Sequence, residues 1–284
     1  MAEPKASSTA ITLVRLRAAH QILDAEPKIL VDPIAVGFVP GSSADELRAD
    51  AANLQRPIPR AVRATAVMRN RYVEDVLQEV AALGVRQYVN LGAGLDTFAY
   101  RQPAWAHALT LYDVEHPETQ GWKQANLERL RIVPPANLRW CPLNLEERGL
   151  PESLAAAGFD PTIPACFAWL GVTQYLTDAA IETTLRFVRS LAVGGSIVFT
   201  FSSPLSSLGD EEQAIRRELA AMVASAGEPL RTEFEPTPLC NRLQAMGFSR
   251  VVYFTTEEAN RRYFAGRSDG LRVLRLEEIM WATV

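Results

Sequence analysis

The sequence predicts an α/β protein of the Rossmann-like, doubly wound type, and three observations support this fold. From residue 85 onward, short apolar segments with strand character alternate with helical patterns, which indicates a mostly parallel sheet. A pair of glycines directly follows the first predicted strand, as in α/β proteins that bind nucleotides at their strand ends. The chain has 284 residues, and we expect one domain with seven strands over residues 1–284.

The part of the chain before the first strand is expected to consist of an irregular segment followed by a helix. Residues 1–59 are rich in proline and carry short helical patterns, such as the one at 10–23, so we expect an N-terminal cap segment. A longer helix follows, because apolar residues recur at helical spacing over 60–83. Gly84 is well placed to end this helix.

Seven segments have the composition of strands. They cover residues 85–91, 108–114, 137–143, 164–170, 195–201, 249–255 and 277–284, and the last of them could close the sheet. Helices are expected between them at 117–131 and at 178–191, the second capped by Thr177. Between the fifth and sixth strands, residues 203–247 exceed a normal crossover and include an amphipathic helix at 211–226. We expect this insertion to form a lid that covers, with the cap segment, a site at the strand ends.

Composition limits the partners and the compartment. The net charge of −4 argues against a nucleic-acid or anionic-membrane partner, and no apolar segment is long enough to span a bilayer. The three cysteines form no C-x-x-C pair and the three histidines show no metal-ligand spacing, so we expect no metal site and a cytoplasmic location. The oligomeric state cannot be inferred from these features.

The glycine pair lies in the stretch "VNLGAGLDTFAYR", residues 89–101. Gly92 and Gly94 let the backbone approach a ligand closely, but Thr97 stands where the dinucleotide pattern G-x-G-x-x-G has its third glycine. Asp96 places a carboxylate where a pyrophosphate would lie, and would repel it. The loop therefore favours a cofactor without phosphates over NAD. S-adenosylmethionine, an adenosine with a cationic sulfonium and an amino-acid tail, is such a cofactor.

An acidic residue at the end of the second strand supports the adenosine. Glu115 lies 21 positions after Gly94, the spacing at which a carboxylate binds ribose hydroxyls. Asp113 is the neighbouring candidate, but strand alternation directs its side chain elsewhere. On these features alone, the alternative to a cofactor site is a tight structural turn at the glycines and a solvent-exposed Glu115.

Four motifs in order resemble a known family. They are "VNLGAGLDTFAYR", "YDVEHPETQGWK", "CPLNLEE" and "AWLGVTQYLT", preceded by "RAAH" and "KILVDPIA". This series resembles the leucine carboxyl methyltransferase-like family of class I S-adenosylmethionine-dependent methyltransferases, and more closely its bacterial small-molecule O-methyltransferases. The resemblance runs from about residue 9 to the last strand.

The resemblance implies a role for each matching residue. Gly92, Gly94 and Asp96 would line the methionine side of the cofactor, and Glu115 would hold the ribose hydroxyls. Asn144 and Leu145 would lie at the adenine edge. Arg69 would pair with the cofactor carboxylate, which a guanidinium can bind through two hydrogen bonds. The alternative to this role is that Arg69 lies on a solvent-exposed helix face and binds no cofactor.

Three departures from the family pattern concern the substrate. Asn144 replaces a frequent aspartate, and Phe98 replaces a frequent arginine. Leu170 stands where the eukaryotic protein-modifying members have an acidic residue. These differences weaken the inference that the acceptor is a protein C-terminus, and they favour a small molecule.

The chemistry expected is methyl transfer to oxygen. A carboxylate acceptor is ionised at pH 7 and needs no base, whereas a phenol usually does. The sequence shows no strong base, which favours a carboxylate over the alternative, a phenol or hydroxyl. His116 and Tyr175 are weak catalytic candidates, and a structural hydrogen bond for His116 or packing for Tyr175 is an open alternative. Two rival classes remain, a nicotinamide-dependent oxidoreductase and a non-catalytic adenosine-binding module.

Overall fold

The computed structural model describes residues 7–147 and 149–284, and their fold is built on one seven-stranded sheet. The strands are β1 (Gln87–Leu91), β2 (Thr110–Glu115), β3 (Leu138–Pro142), β4 (Ala165–Trp169), β5 (Ser196–Phe201), β6 (Arg250–Phe254) and β7 (Glu278–Thr283). The helices are α1 (Ser8–Leu23), α2 (Ala44–Ala49), α3 (Ala51–Leu54), α4 (Pro57–Ala82), α5 (Pro117–Arg129), α6 (Leu150–Ala156), α7 (Asp178–Arg189), α8 (Asp210–Ser225), α9 (Pro236–Ala245) and α10 (Thr256–Ala259). The predicted α/β fold with seven mostly parallel strands is confirmed.

The strand order is β3-β2-β1-β4-β5-β7-β6. The first five strands pair in parallel, and β7 runs antiparallel to both β5 and β6. The last strand therefore does not close an edge of the sheet but lies inside it. Its run Ile279–Ala282 is buried on both faces, as in a central strand, while most of β6 is only half-buried, as at an edge.

Helices cover both faces of the sheet, which defines two apolar layers. On one face, Val67, Tyr72 and Val76 of α4 pack in the layer that contains Tyr88 of β1. On the other face, α7 and α9 pack in the layer that contains Val89. Helix α4 begins at Pro57, three residues before the prediction, because proline suits the first turn of a helix.

The insertion predicted as a lid has two different halves. Helix α9 places Leu239 and Leu243 in the apolar layer under the sheet, so it packs as an ordinary crossover helix. Helix α8 instead contacts the start of α4, where Ile215 packs with Ala61 and Leu276. A covering role thus stays a prediction for the part of the insertion that precedes Pro236.

Buried ion pairs attach the N-terminal segment to the glycine loop. Asp32 is fully buried, accepts a hydrogen bond from Arg17 Nε at 2.9 Å, and lies 3.5 Å from Arg101 Nε. Thr97 Oγ1 donates to the other carboxylate oxygen at 2.8 Å, and Arg17 Nη2 donates to the Leu95 carbonyl at 2.8 Å. The position of the glycine loop therefore depends on Asp32, some 60 residues earlier in the chain.

Acid is expected to destabilise the fold through this carboxylate. Burial raises the pKa of Asp32, but the positive charges of Arg17 and Arg101 outweigh it and hold the pKa below its ordinary value. The stabilisation is therefore present above the unfolded pKa of about 3.9 and is lost as the pH falls through the folded pKa. We expect Asp32→Asn to lower the free energy of unfolding at pH 7 and to flatten its fall below about pH 4.

Urea unfolding at pH 7, 5, 4 and 3 measures this effect. Asp45→Asn is the control, because Asp45 lies in an exposed pair with Arg48. An unchanged acid dependence in Asp32→Asn would contradict the assignment.

Candidate active site

A cavity of about 560 Å³ opens at the carboxyl ends of β1, β2 and β4. It is lined by the loops that follow these strands, by the start of α1 and by the end of the α8 segment. All nine sequence-predicted site residues line it: Arg69, Gly92, Gly94, Asp96, Glu115, His116, Asn144, Leu145 and Tyr175. We call it the first cavity. The structure thus brings the predicted residues together, and their individual roles stay predictions.

The glycine loop lies at the bottom of the first cavity. Gly92 has φ +63°, and a Cβ there would lie 2.5 Å from a methyl carbon of Val172. Gly94 also has positive φ, at +51°. Between β1 and β2 only two 3-10 helices follow the loop, Phe98–Tyr100 and Ala104–Ala108. A pyrophosphate site built on an α-helix N-terminus is therefore not available behind this loop.

The residue at the position of the missing third glycine has a structural role. Thr97 is fully buried, and its hydroxyl donates to Asp32 and accepts from Arg101 Nε at 3.1 Å. Asp96 is only half-buried, lines the first cavity, and accepts a hydrogen bond from the Phe98 N–H at 2.8 Å. Of the two residues, Asp96 alone presents its side chain to a ligand.

Glu115 connects the end of β2 to the glycine loop. Its carboxylate accepts the Gly94 N–H at 2.5 Å and the His116 N–H at 2.9 Å, and lone pairs remain for a ligand. Burial raises the pKa of this carboxyl, against the effect of the two backbone N–H groups. Asp113 does not line the first cavity and forms a buried pair with Lys123 at 2.5 Å. The reason expected from strand alternation is wrong, because residues two apart on a strand point to the same face; the pair with Lys123 is what occupies the Asp113 side chain.

Arg69 does not lie on a solvated helix face. The residue is 7% exposed, and its Nη1 donates to Glu277 at 2.5 Å. The guanidinium rests against Gly171, where a Cβ would come within 2.5 Å of Nη1. The second oxygen of Glu277 accepts from Gln174 Nε2 at 3.1 Å. Sequence reasoning missed Glu277, because this residue lies 208 positions from Arg69 and in no recognisable motif.

The remaining predicted residues make local hydrogen bonds. Asn144 Oδ1 accepts the Glu146 N–H at 3.1 Å, which leaves its second lone pair free. His116 is exposed and caps α5, since its Nδ1 accepts the Glu118 N–H at 3.4 Å. This contact is the structural hydrogen bond expected as the alternative to a catalytic role.

A second cavity of about 350 Å³ adjoins the first. The residues that line both are Ser8, Thr9, Leu13, Arg69, Gly171, Tyr175 and Ala226. Most of its other walls are apolar and come from α1, α3, α4 and α8. Burial, followed by the charges of Glu277 and Glu228, raises the pKa of Tyr175 to about 12. The Tyr175 hydroxyl therefore keeps its proton at neutral pH and can donate a hydrogen bond.

The N-terminal segment meets the insertion at the wall of the first cavity. Ser7 Oγ donates to Glu228 at 2.7 Å, and the hydroxyl of Thr9 donates to the same carboxylate.

Within residues 7–147 and 149–284, no group of three or more His, Cys, Asp or Glu residues could hold a metal ion. In the same part of the chain, no helix has the length and apolarity needed to cross a membrane.

Two solved structures share the fold of this chain. A protein of Thermobifida fusca assigned as a methyltransferase has a TM-score of 0.57 at 17% identity, over 95% of this chain and 93% of its own. A DUF574 family protein of Streptomyces avermitilis has a TM-score of 0.56 at 17% identity, over 94% and 96%. At this identity the similarity shows the fold alone.

The sequence comparisons define the family. A model described as leucine carboxyl methyltransferase matches residues 10–189, so the chain belongs to the leucine carboxyl methyltransferase family. Bacillus subtilis YktD, assigned as an S-adenosyl-L-methionine-dependent methyltransferase, is 29% identical over 73% of this chain and 68% of its own. A Mycobacteroides abscessus protein with the same assignment is 31% identical over 77% and 71%. The predicted family and the methyltransferase class are confirmed.

Proposed function

We propose that this methyltransferase binds S-adenosylmethionine in the first cavity and methylates an oxygen atom of a small molecule, a carboxylate, in the second cavity. The observation that supports this most is the shared wall of the two cavities, which contains Arg69, Gly171 and Tyr175. A donor and an acceptor held on either side of such a wall would have their reacting atoms close together. The assignments of the relatives support the choice of cofactor.

The residues of the first cavity fit this cofactor. The lone pairs of Glu115 that the Gly94 and His116 N–H groups leave free suit ribose hydroxyls. Asp96 supplies negative charge near a sulfonium, and the unpaired Arg69 Nε suits a carboxylate. When bound, the cofactor supplies a methyl group on a good leaving group, so the protein mainly orients the acceptor and excludes water.

A carboxylate acceptor needs no general base, and this matches the second cavity. Tyr175 retains its proton and can hydrogen-bond an acceptor oxygen without taking a proton from it. The apolar walls would exclude water from the attacking carboxylate. The cytoplasmic location and the absence of a nucleic-acid partner stay predictions from composition.

One observation favours a hydroxyl acceptor as the second candidate. Glu277 lines the second cavity and could take a proton from a phenol or alcohol. We expect Glu277→Gln to weaken cofactor binding, because Glu277 pairs with Arg69, but to retain most of the rate at saturating cofactor if the acceptor is a carboxylate. A loss of about 10²-fold or more in that rate would instead support the hydroxyl. Initial rates at saturating S-adenosylmethionine measure the difference.

The acceptor type can be tested directly by methyl transfer. The enzyme is incubated with methyl-labelled S-adenosylmethionine and a panel of carboxylic acids and phenols, and the products are treated with mild base. Our proposal predicts label that base releases, because methyl esters hydrolyse and ethers do not. Label that survives base would reject the carboxylate, and no transfer to any member would count against a small-molecule acceptor.

A further inference from the structure

The second cavity contains buried polar atoms that lack hydrogen bonds. Ten buried side-chain nitrogen and oxygen atoms have no partner within the described residues, and four of them belong to residues of this cavity. The four are Arg69 Nε, Gln174 Oε1, Ser202 Oγ and Arg216 Nε. Leaving such groups unpaired is costly. Arg69 Nε is assigned above to the cofactor carboxylate, and the other three indicate a polar ligand in the second cavity.

Arg216 is the strongest of these groups. It lies on α8, is 5% exposed, and has one hydrogen bond to a described residue, from Nη2 to Glu233 at 3.2 Å. The Glu233 side chain is 39% exposed, so the buried positive charge has its counter-charge at the solvent edge. Arg216 thus lines the second cavity with a guanidinium whose Nε has no hydrogen-bond partner within the described residues.

Ser202 and Arg216 both contact the segment that contains Glu233 and Phe234. The Ser202 carbonyl accepts the N–H of Phe234, and Glu233 precedes Phe234 in the chain. Ser202 and Arg216 line the second cavity but not the first, so they belong to the acceptor cavity and not to the wall that the two cavities share. Apolar side chains such as Leu16, Val62, Leu219 and Leu276 line the same cavity.

We infer that the acceptor carries a second carboxylate, which Arg216 and Ser202 bind, and an apolar body between this group and the methylated oxygen. The inference rests on the proposed function for the identity of the reacting end. A guanidinium and a hydroxyl suit a carboxylate through charge-assisted hydrogen bonds. The distal carboxylate thus selects the substrate and orients its other end toward the wall shared with the first cavity.

The test compares ligands that differ only in the distal group. Calorimetry measures the binding of octanoate and suberate, and of decanoate and sebacate, to the full chain saturated with S-adenosylhomocysteine. We expect each dicarboxylate to bind at least about tenfold more tightly than its monocarboxylate partner. Equal binding within both pairs, or no binding of any of the four, would overturn the inference.

Variants assign the preference to Arg216. Arg216→Met should remove it, and Arg216→Lys should retain part of it, whereas Arg217→Met on the exposed face of α8 should leave it unchanged. Glu233→Gln should strengthen dicarboxylate binding, because it frees Arg216 from its partner, and a merely structural arginine would not respond in this way. A preference that persists in Arg216→Met would contradict the assignment.

Failure of the inference can be separated from failure of the proposed function. Base-labile methyl transfer from S-adenosylmethionine without any preference for a distal carboxylate would reject only the inference. A dicarboxylate preference that depends on Arg216, in a protein that does not bind S-adenosylmethionine, would reject the proposed function and retain the anion site.

Discussion

Replacement of Glu115 by alanine is expected to weaken S-adenosylmethionine binding by about a hundredfold. Hydrogen bonds to a charged carboxylate contribute about 1.5–3 kcal/mol each, and about 1.4 kcal/mol corresponds to a tenfold change in affinity. The variant also removes the acceptor of the Gly94 N–H, so the glycine loop loses a contact that fixes its position. Calorimetric titration with the cofactor measures the loss.

The controls separate the ribose role from a general effect of charge. Glu118→Ala removes a neighbouring carboxylate that also lines the first cavity and should change the affinity little. Glu115→Gln retains an acceptor oxygen and should bind with intermediate affinity. Unchanged affinity in Glu115→Ala, with the fold intact by circular dichroism, would refute the ribose role.

The second large effect is expected for Gly171→Ala. Gly171 has φ +71°, and the added Cβ would lie 2.5 Å from Nη1 and 2.7 Å from Nη2 of Arg69. The guanidinium must move, which disturbs its contact with Glu277 and the carboxylate site proposed for it. We expect a loss of about tenfold to a hundredfold in cofactor affinity, together with about 1–2 kcal/mol of stability for the left-handed backbone.

Gly158→Ala is a matched control for the stability that is lost when a side chain is added at a left-handed backbone position. Gly158 has φ +86°, but nothing lies within 4 Å of the position of its Cβ. It should therefore lose a similar amount of stability and retain full cofactor affinity. If both variants lose the same stability in thermal unfolding and have the same cofactor affinity in calorimetry, the steric role of Gly171 toward Arg69 is wrong.

The parts of the fold and site that were predictable from sequence are those with local signals. Each strand appears as a short apolar run, and Gly84, with φ +107°, marks the end of α4. The glycine loop and Glu115 are recognisable because they follow adjacent strands at a fixed spacing. Parallel strands direct such residues to one edge of the sheet, so the first cavity could be inferred.

The parts that were not predictable depend on contacts between distant residues. Arg69 meets Glu277 across 208 positions, and Arg216 lies in the second cavity only because α8 packs on α4. The interior position of β7 likewise depends on which strands pair with it. The apolar run of this strand suits the middle of a sheet but does not indicate that β5 and β6 are its neighbours. No periodicity or motif in one segment carries this information.

Calorimetry of the unmodified protein with S-adenosylmethionine and with NAD tests the central claim most directly. We predict binding of S-adenosylmethionine and none of NAD, because no α-helix N-terminus follows the glycine loop and Asp96 lines the cavity there. Binding of NAD without binding of S-adenosylmethionine would contradict the proposed function.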